Sequence, residues 1–233
     1  MDKRFWAVLG VIVLIFVGII WVNGKKAGAP DGGSGSAQPS NHIKGENTKN
    51  VTLVEYGDFQ CPVCYSYYPT VEQVFNKYKS DIAFQFRNFP LTQLHPNAFA
   101  GARAAEAAGL QNKYWEMHDL LYQNQDPNGA SGWVASSTPQ SFFNTFAQQI
   151  GINVDQFKKD YASSKVNDTI NADLKAGKDL KVDGTPSFFL NGKMIELKDL
   201  VTNGTPDVEK FNKLIDDAIA KSDSSKSSTE SKQ

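Results

Sequence analysis

The only two cysteines of this 233-residue chain, Cys61 and Cys64, stand two residues apart between a β-branched run and a helical stripe. That placement constrains the fold more than any other feature. Val51-Thr52-Leu53-Val54-Glu55-Tyr56 is apolar and β-branched, with Asn50 before it and Gly57-Asp58 after it, the pattern of a strand buried on both faces. From Cys61 to Tyr78, the residues Tyr65, Tyr68, Val71, Val74, Phe75 and Tyr78 recur at three- and four-residue spacing. This is the stripe of an amphipathic helix, so the cysteines fall at its first turn. Ile82, Phe84, Phe86 and Phe89 set a mostly alternating pattern that Pro90 stops, predicting a second strand and completing a β-α-β unit.

The stretch from about 91 to 181 is too long for a simple crossover. Ala98 to Ala108 is alanine-rich, Tyr114 to Tyr122 is amphipathic, and Pro139 to Ile150 resumes helix after the polar loop at Asn124 to Ser137. These predict an insertion of several helices. Sheet returns with Ser187 to Leu190 and Lys193 to Leu197 around Asn191-Gly192, a strong hairpin signal. Val208 to Lys221 then predicts a closing amphipathic helix, with Val208, Phe211, Leu214, Ile215, Ala218 and Ile219 on one side. The fold class is α/β, with one domain over 43–221.

The flanks read differently. Phe5 to Val22 is wholly apolar or glycine after Lys3-Arg4, about the length a bilayer core requires and longer than most cleaved signal cores. Trp6 and Trp21 lie near the ends of the run, where indole suits the headgroup region. Residues 1–24 are therefore expected to be an uncleaved membrane anchor that exports the remainder. Residues 25–42, rich in Gly, Ser, Ala and Pro, are expected to form a flexible linker, and 222–233, mostly serine and lysine with a few acids, a disordered tail. A net charge of -1 with interspersed signs leaves no electrostatic footprint for nucleic acid.

Two cysteines at this spacing admit a redox pair, half a metal site or a structural staple. A staple closing so short a loop contributes only about 2 kcal/mol. A closed zinc site needs two further ligands; His42 falls in the linker, while His95 and His118 read as helix-surface or boundary residues without ligand spacing. The redox reading explains more. Amides and dipole at a helix N-terminus stabilise an anion, so Cys61 is the expected nucleophile with a lowered pKa, and Cys64, one turn further in, the buried resolving thiol. Pro62 preorganises the first turn; Val63 offers neither charge nor hydrogen bond.

The segment Glu55 to Cys64, taken with Gly184-Thr185-Pro186-Ser187-Phe188-Phe189-Leu190-Asn191-Gly192, resembles the DsbA-like branch of the thioredoxin superfamily. The resemblance covers about Val51 to Lys221 and implies a thioredoxin fold with the helical insertion over the active site. It further implies a cis peptide at Thr185-Pro186 beside the cysteines, where the backbone could pair with a substrate strand. Glu55, six residues before Cys61, matches a buried acid that shuttles the proton of the resolving thiol, with Asp58 a weaker substitute. Valine at position 63 departs from the Cys-Pro-His-Cys form of strongly oxidising relatives. The implied partners are reduced exported proteins and a membrane redox protein for reoxidation, with no diffusible cofactor.

Overall fold

The computed structural model describes residues 37–126, 128 and 130–230. Strands β1 (His42–Lys44), β2 (Val51–Gly57), β3 (Ile82–Asn88), β4 (Ser187–Leu190) and β5 (Lys193–Ile195) form one sheet in the order β1-β3-β2-β4-β5. β2 runs parallel to β3, from Val51 opposite Ile82 to Gly57 opposite Asn88, and antiparallel to β4, with Leu53 opposite Leu190. Helix α1 (Pro62–Tyr78) makes the crossover between β2 and β3. The predicted β-α-β unit and hairpin are therefore present, and the mixed sheet with its helices has the thioredoxin-like plan.

β2 is central and packs on both faces, which explains its lack of polar alternation. Val51 and Leu53 join Tyr67, Val71 and Val74 of α1 in one core cluster, while Tyr56 turns to Phe89, Val182 and Phe189 on the other side. The last helix packs Phe211 and Ile215 into the first cluster, with the Phe188 and Phe211 rings edge to face at 5.3 Å.

The insertion comprises α2 (Ala98–Gly109), α3 (Tyr114–Gln123), α4 (Gly132–Ala135), α5 (Gln140–Gln149), α6 (Val154–Tyr161) and α7 (Ser164–Asp179). Small side chains let α2 sit deep: Ala98, Ala104, Ala105, Ala107 and Ala108 have no exposed surface. Gly101 abuts Trp133 and Phe59, where a Cβ would stand 3.1–3.3 Å from their atoms. Trp133 is itself fully buried and donates its indole N–H to the Leu121 carbonyl at 3.0 Å.

Four expectations change. The linker, expected to reach residue 42, gives way to packed structure by Ser40, which is 4% exposed, and His42 opens β1 rather than lying in a tether. The cause is long-range: Asp173, fully buried on α7, accepts from the Ser40 amide at 2.9 Å and hydroxyl at 2.6 Å, from the Asn88 amide at 3.0 Å, and from Arg87 Nη1 at 3.1 Å. Glu106 takes His42 Nε2 at 2.9 Å, and the His42 ring stacks 3.4 Å from Tyr114. Helix α8 (Val208–Glu230) runs past the expected stop at Lys221, anchored by Ser222 Oγ to the Lys49 carbonyl at 2.6 Å and by the Lys49–Asp223 ion pair. Beyond the hairpin, Val201–Thr202 and Thr205–Pro206 form a two-stranded ribbon, β6 and β7, that no sequence pattern signalled. Cys61 caps α1 rather than starting it, since the helix opens at Pro62.

Replacing Asp173 by Asn puts an amide donor among five donors, the Asn88 side-chain amide included, and is expected to cost about 2 kcal/mol. Urea unfolding of the two proteins measures it; equal midpoints would show that the N-terminal segment is not held through this carboxylate.

The expected anchor over 1–24, including Phe5 to Val22, lies outside the described residues. Among the described residues no helix is long and apolar enough to cross a membrane.

Candidate active site

Because β2 and β3 are parallel, the segments leaving their carboxyl ends meet at one edge of the sheet, where open α/β sheets place their sites. Asp58 to Cys64 leave β2 there, and Leu91 to Asn97 follow β3. The third contributor is the turn before β4, where Thr185-Pro186 is cis as the resemblance implied.

Cys61 is the N-cap of α1, with extended backbone (φ -68, ψ 122) and no side-chain cap bond, and Pro62 fills the first helical position. Its amide donates to the Asp58 carbonyl at 3.1 Å, and its Sγ lies 3.4 Å from the Thr185 carbonyl. Residues 124 apart in sequence thus share one sulfur. Both cysteines are free thiols, and both are buried.

The thiols are pushed in opposite directions. Hydrogen bonding from Cys64 lowers the Cys61 pKa from 9.0 to about 6 against the opposing effect of burial, with help from Thr185 and from the amides of Cys64 and Val63. The sequence reading expected the amides of the helix start to do this; the neighbouring thiol does more, and those amides contribute least. The Thr185 hydroxyl is buried without another partner. Cys64 has no exposed surface, and burial pushes its thiol well above the usual range, with the neighbouring Cys61 and Glu55 charges adding to the rise.

Glu55 is 4% exposed, behind the cysteines on the face of β2 that meets α1. Burial raises its pKa to about 8; Lys44 opposes the rise, while Glu72 and Cys61 add to it. Lys44 is ion-paired with Glu72 of α1 and lies over the Phe75 and Trp115 rings. An acid that holds its proton near neutrality beside a thiol that resists ionising is suited to exchange that proton. Val63 is 45% exposed at the rim and brings no charge, and Pro186 is buried beneath Thr185.

The structure places Glu55, Cys61, Pro62, Val63, Cys64, Thr185 and Pro186 around one point. It also gives Asp58 a different role and adds His95, Gln125, Gln60 and Asn97, to which sequence reading gave none. Asp58 is buried and committed elsewhere than to proton transfer with Cys64: its carboxylate accepts from the Gln60 amide at 2.8 Å, the Leu91 amide at 2.9 Å and His95 Nδ1 at 2.7 Å. His95, expected at a boundary without a role, is thereby fixed at the site; its place just beyond the strand parallel to β2 is the signal that could have found it. Gln125, 5% exposed in the loop after α3, donates to the Phe59 carbonyl at 2.6 Å and the Cys61 carbonyl at 3.2 Å. Gln60 accepts from the Asn97 amide at 2.6 Å, and Asn97 in turn binds the carbonyls of Trp133, Val134 and Ser136.

His118 also departs from expectation. It is 2% exposed, ringed by Phe59, Phe86, Trp115 and Tyr122 at 4.9–5.5 Å, and burial lowers its pKa. Its surface reading failed because two of the aromatic partners, Phe59 and Phe86, come from outside its own helix. Among the described residues, no three His, Cys, Asp or Glu side chains are grouped to hold a metal ion.

Residues 37–217 match the family described as thioredoxin. A probable disulfide bond formation protein D from Bacillus cereus is 30% identical over 224 residues, covering 92% of this chain and 95% of that protein. The Na(+)/H(+) antiporter NhaA 3 of Salinispora tropica is 36% identical over 152 residues, which is 65% of this chain but 22% of the antiporter, so the chain spans about a fifth of that relative's length. Among solved structures, oxidised BdbD from Bacillus subtilis superposes with a TM-score of 0.62 at 21% identity, covering 79% of this chain and 97% of that one. The thiol-disulfide exchange protein alpha-DsbA2 from Wolbachia pipientis gives 0.61 at 22% identity, covering 77% and 86%. These two likenesses show the fold. With the family matched across most of the chain and a relative aligned over nearly all of it, the chain belongs to the thioredoxin family.

Proposed function

We propose that the chain oxidises cysteine pairs of exported proteins by dithiol–disulfide exchange. In the oxidised form a substrate thiolate attacks Cys61 Sγ, forming a mixed disulfide and breaking the Cys61–Cys64 bond. Cys64 departs as a thiolate and takes a proton, for which the buried Glu55 is the fitted donor. The second substrate thiolate then attacks the substrate sulfur of the mixed disulfide, and Cys61 leaves as a thiolate. The substrate loses two electrons, which the protein keeps as the Cys61 thiolate and the Cys64 thiol; the protons of the two substrate thiols pass to solvent, from which Glu55 recovers one.

The observation that carries this reading is the placement of Cys61 as the cap of α1, its Sγ 3.4 Å from the Thr185 carbonyl and the fully buried Cys64 behind it, a setting that favours its thiolate. A stabilised thiolate favours the reduced protein, so the disulfide is the better oxidant. Reoxidation is assigned to a membrane redox partner that takes the electron pair. The apolar run at Phe5 to Val22 supports placing the catalytic domain outside the cytoplasm, tethered near that partner.

Equilibration with glutathione redox buffers tests the direction. The reduction potential is expected above thioredoxin's, about -270 mV, and toward DsbA's, about -120 mV. A potential at or below that of thioredoxin would place the chain among reductases instead.

A further inference from the structure

We propose that His95, held by Asp58 on the loop after β3, is a positioning residue whose positive charge supports the Cys61 thiolate in place of the charge that Val63 lacks. The inference rests on the oxidoreductase reading above and assigns the tuning of that site to a group outside the cysteine motif.

The argument begins with Asp58. Its carboxylate is buried three residues before Cys61, and its own carbonyl receives the Cys61 amide at 3.1 Å. A buried carboxylate on the same turn as a sulfur that must carry a negative charge is unfavourable unless a cation lies with them. His95 is placed to be that cation: Nδ1 is 2.7 Å from Asp58 Oδ2, and its side chain is only 16% exposed. The position is fixed from several directions. Asp58 Oδ2 also receives the Leu91 amide, from the same loop as His95, and the loop's far end is tied through Asn97 to Gln60, the residue before Cys61. The histidine is therefore part of the scaffold that sets the redox turn.

Two anionic groups act on His95, Asp58 and Cys61; the Asp58 hydrogen bond raises its pKa first, burial opposes this, and the Cys61 charge adds to the rise. The coupling is reciprocal, because a thiolate that favours the imidazolium is favoured by it in return. Its sign with pH follows from the raised pKa. The support given to the thiolate is complete below the ordinary imidazole pKa of 6.5 and is lost as pH rises through the raised value. Above that value the imidazole charge is gone from the turn that carries Cys61, and the disulfide becomes the weaker oxidant.

The full chain and its His95→Gln and His95→Lys variants separate charge from hydrogen bonding. Glutamine keeps an N–H for Asp58 but no charge; lysine keeps the charge and does not titrate near neutrality. Two readouts apply: the pH titration of thiolate absorbance in the reduced proteins, and the equilibrium with glutathione. For His95→Gln the thiolate titration is expected to move up by about one pH unit, and the glutathione equilibrium to shift about tenfold toward the disulfide form, about 30 mV lower in potential. His95→Lys is expected to hold the wild-type equilibrium while flattening its dependence on pH across the imidazole range. The inference is overturned if His95→Gln titrates as the wild type does, or if lysine behaves as glutamine does. Failure of the wild-type protein to exchange with glutathione at all would instead overturn the oxidoreductase reading, and this inference with it.

Discussion

A chain carrying Cys64→Ser, reduced and mixed with a disulfide-bonded peptide, is expected to stop at a mixed disulfide between Cys61 and the peptide. The reason is the division of labour between the two sulfurs. Cys61, with a pKa near 6, is mostly thiolate at neutral pH and attacks readily. Its departure from the mixed disulfide requires the second sulfur, which sits fully buried directly behind it. A serine hydroxyl is not a nucleophile toward sulfur, so turnover is expected to fall by about a thousandfold or more, equivalent to about 4 kcal/mol in the barrier. Intact-mass measurement should show one peptide added to Cys64→Ser and none to Cys61→Ser. Trapping on the Cys61→Ser protein would reverse the assigned roles.

Glu55→Gln is expected to give a more stable and slower protein. The carboxyl has a pKa of about 8 against an ordinary 4.5. A carboxyl with a raised folded-state pKa has its stability contribution fully present below the unfolded value, and loses it as pH rises toward the folded one. Relative to glutamine, the glutamate therefore becomes increasingly unfavourable between 4.5 and about 8, by roughly 3 kcal/mol at pH 7. Urea unfolding should show the variant more stable near neutrality and level with the wild type near pH 4.5. Exchange should slow by about a hundredfold, because the proton of Cys64 loses its relay. Equal exchange rates in the two proteins would remove Glu55 from the mechanism and leave it a buried acid without a role.

Much of the site was legible because its parts are local. Cys61 and Pro62 identify a helix start from adjacent residues, the apolar surroundings of Glu55 in β2 announce its burial, and Thr185-Pro186 lies directly before a strand. The β-α-β unit and the hairpin were readable for the same reason: period and turn chemistry are properties of short windows. What was not legible depends on pairs far apart. Ser40 and His42 look like linker because Ile43 is the one large apolar residue beside them; their partners are Asp173 and Glu106. A three-residue strand such as β1 has no period to detect, and it exists because β3 offers an edge. His95 and Gln125 carry no local mark at all, since a histidine before proline and a glutamine in a polar loop are ordinary until the sheet and insertion bring them to the cysteines.

The Gln125 bridge bears on how far the tetrapeptide can be treated as a portable unit. The carbonyls of Phe59 and Cys61 are held by a side chain from the loop after α3, and the turn itself by Asn97 and His95. Transplanting Cys61 to Cys64 into a plain scaffold would carry the sulfurs and leave those holders behind. Engineering the potential of this protein therefore has two handles, the pair of residues between the cysteines and the distant loops that grip their backbone, and the second can be adjusted without touching the motif.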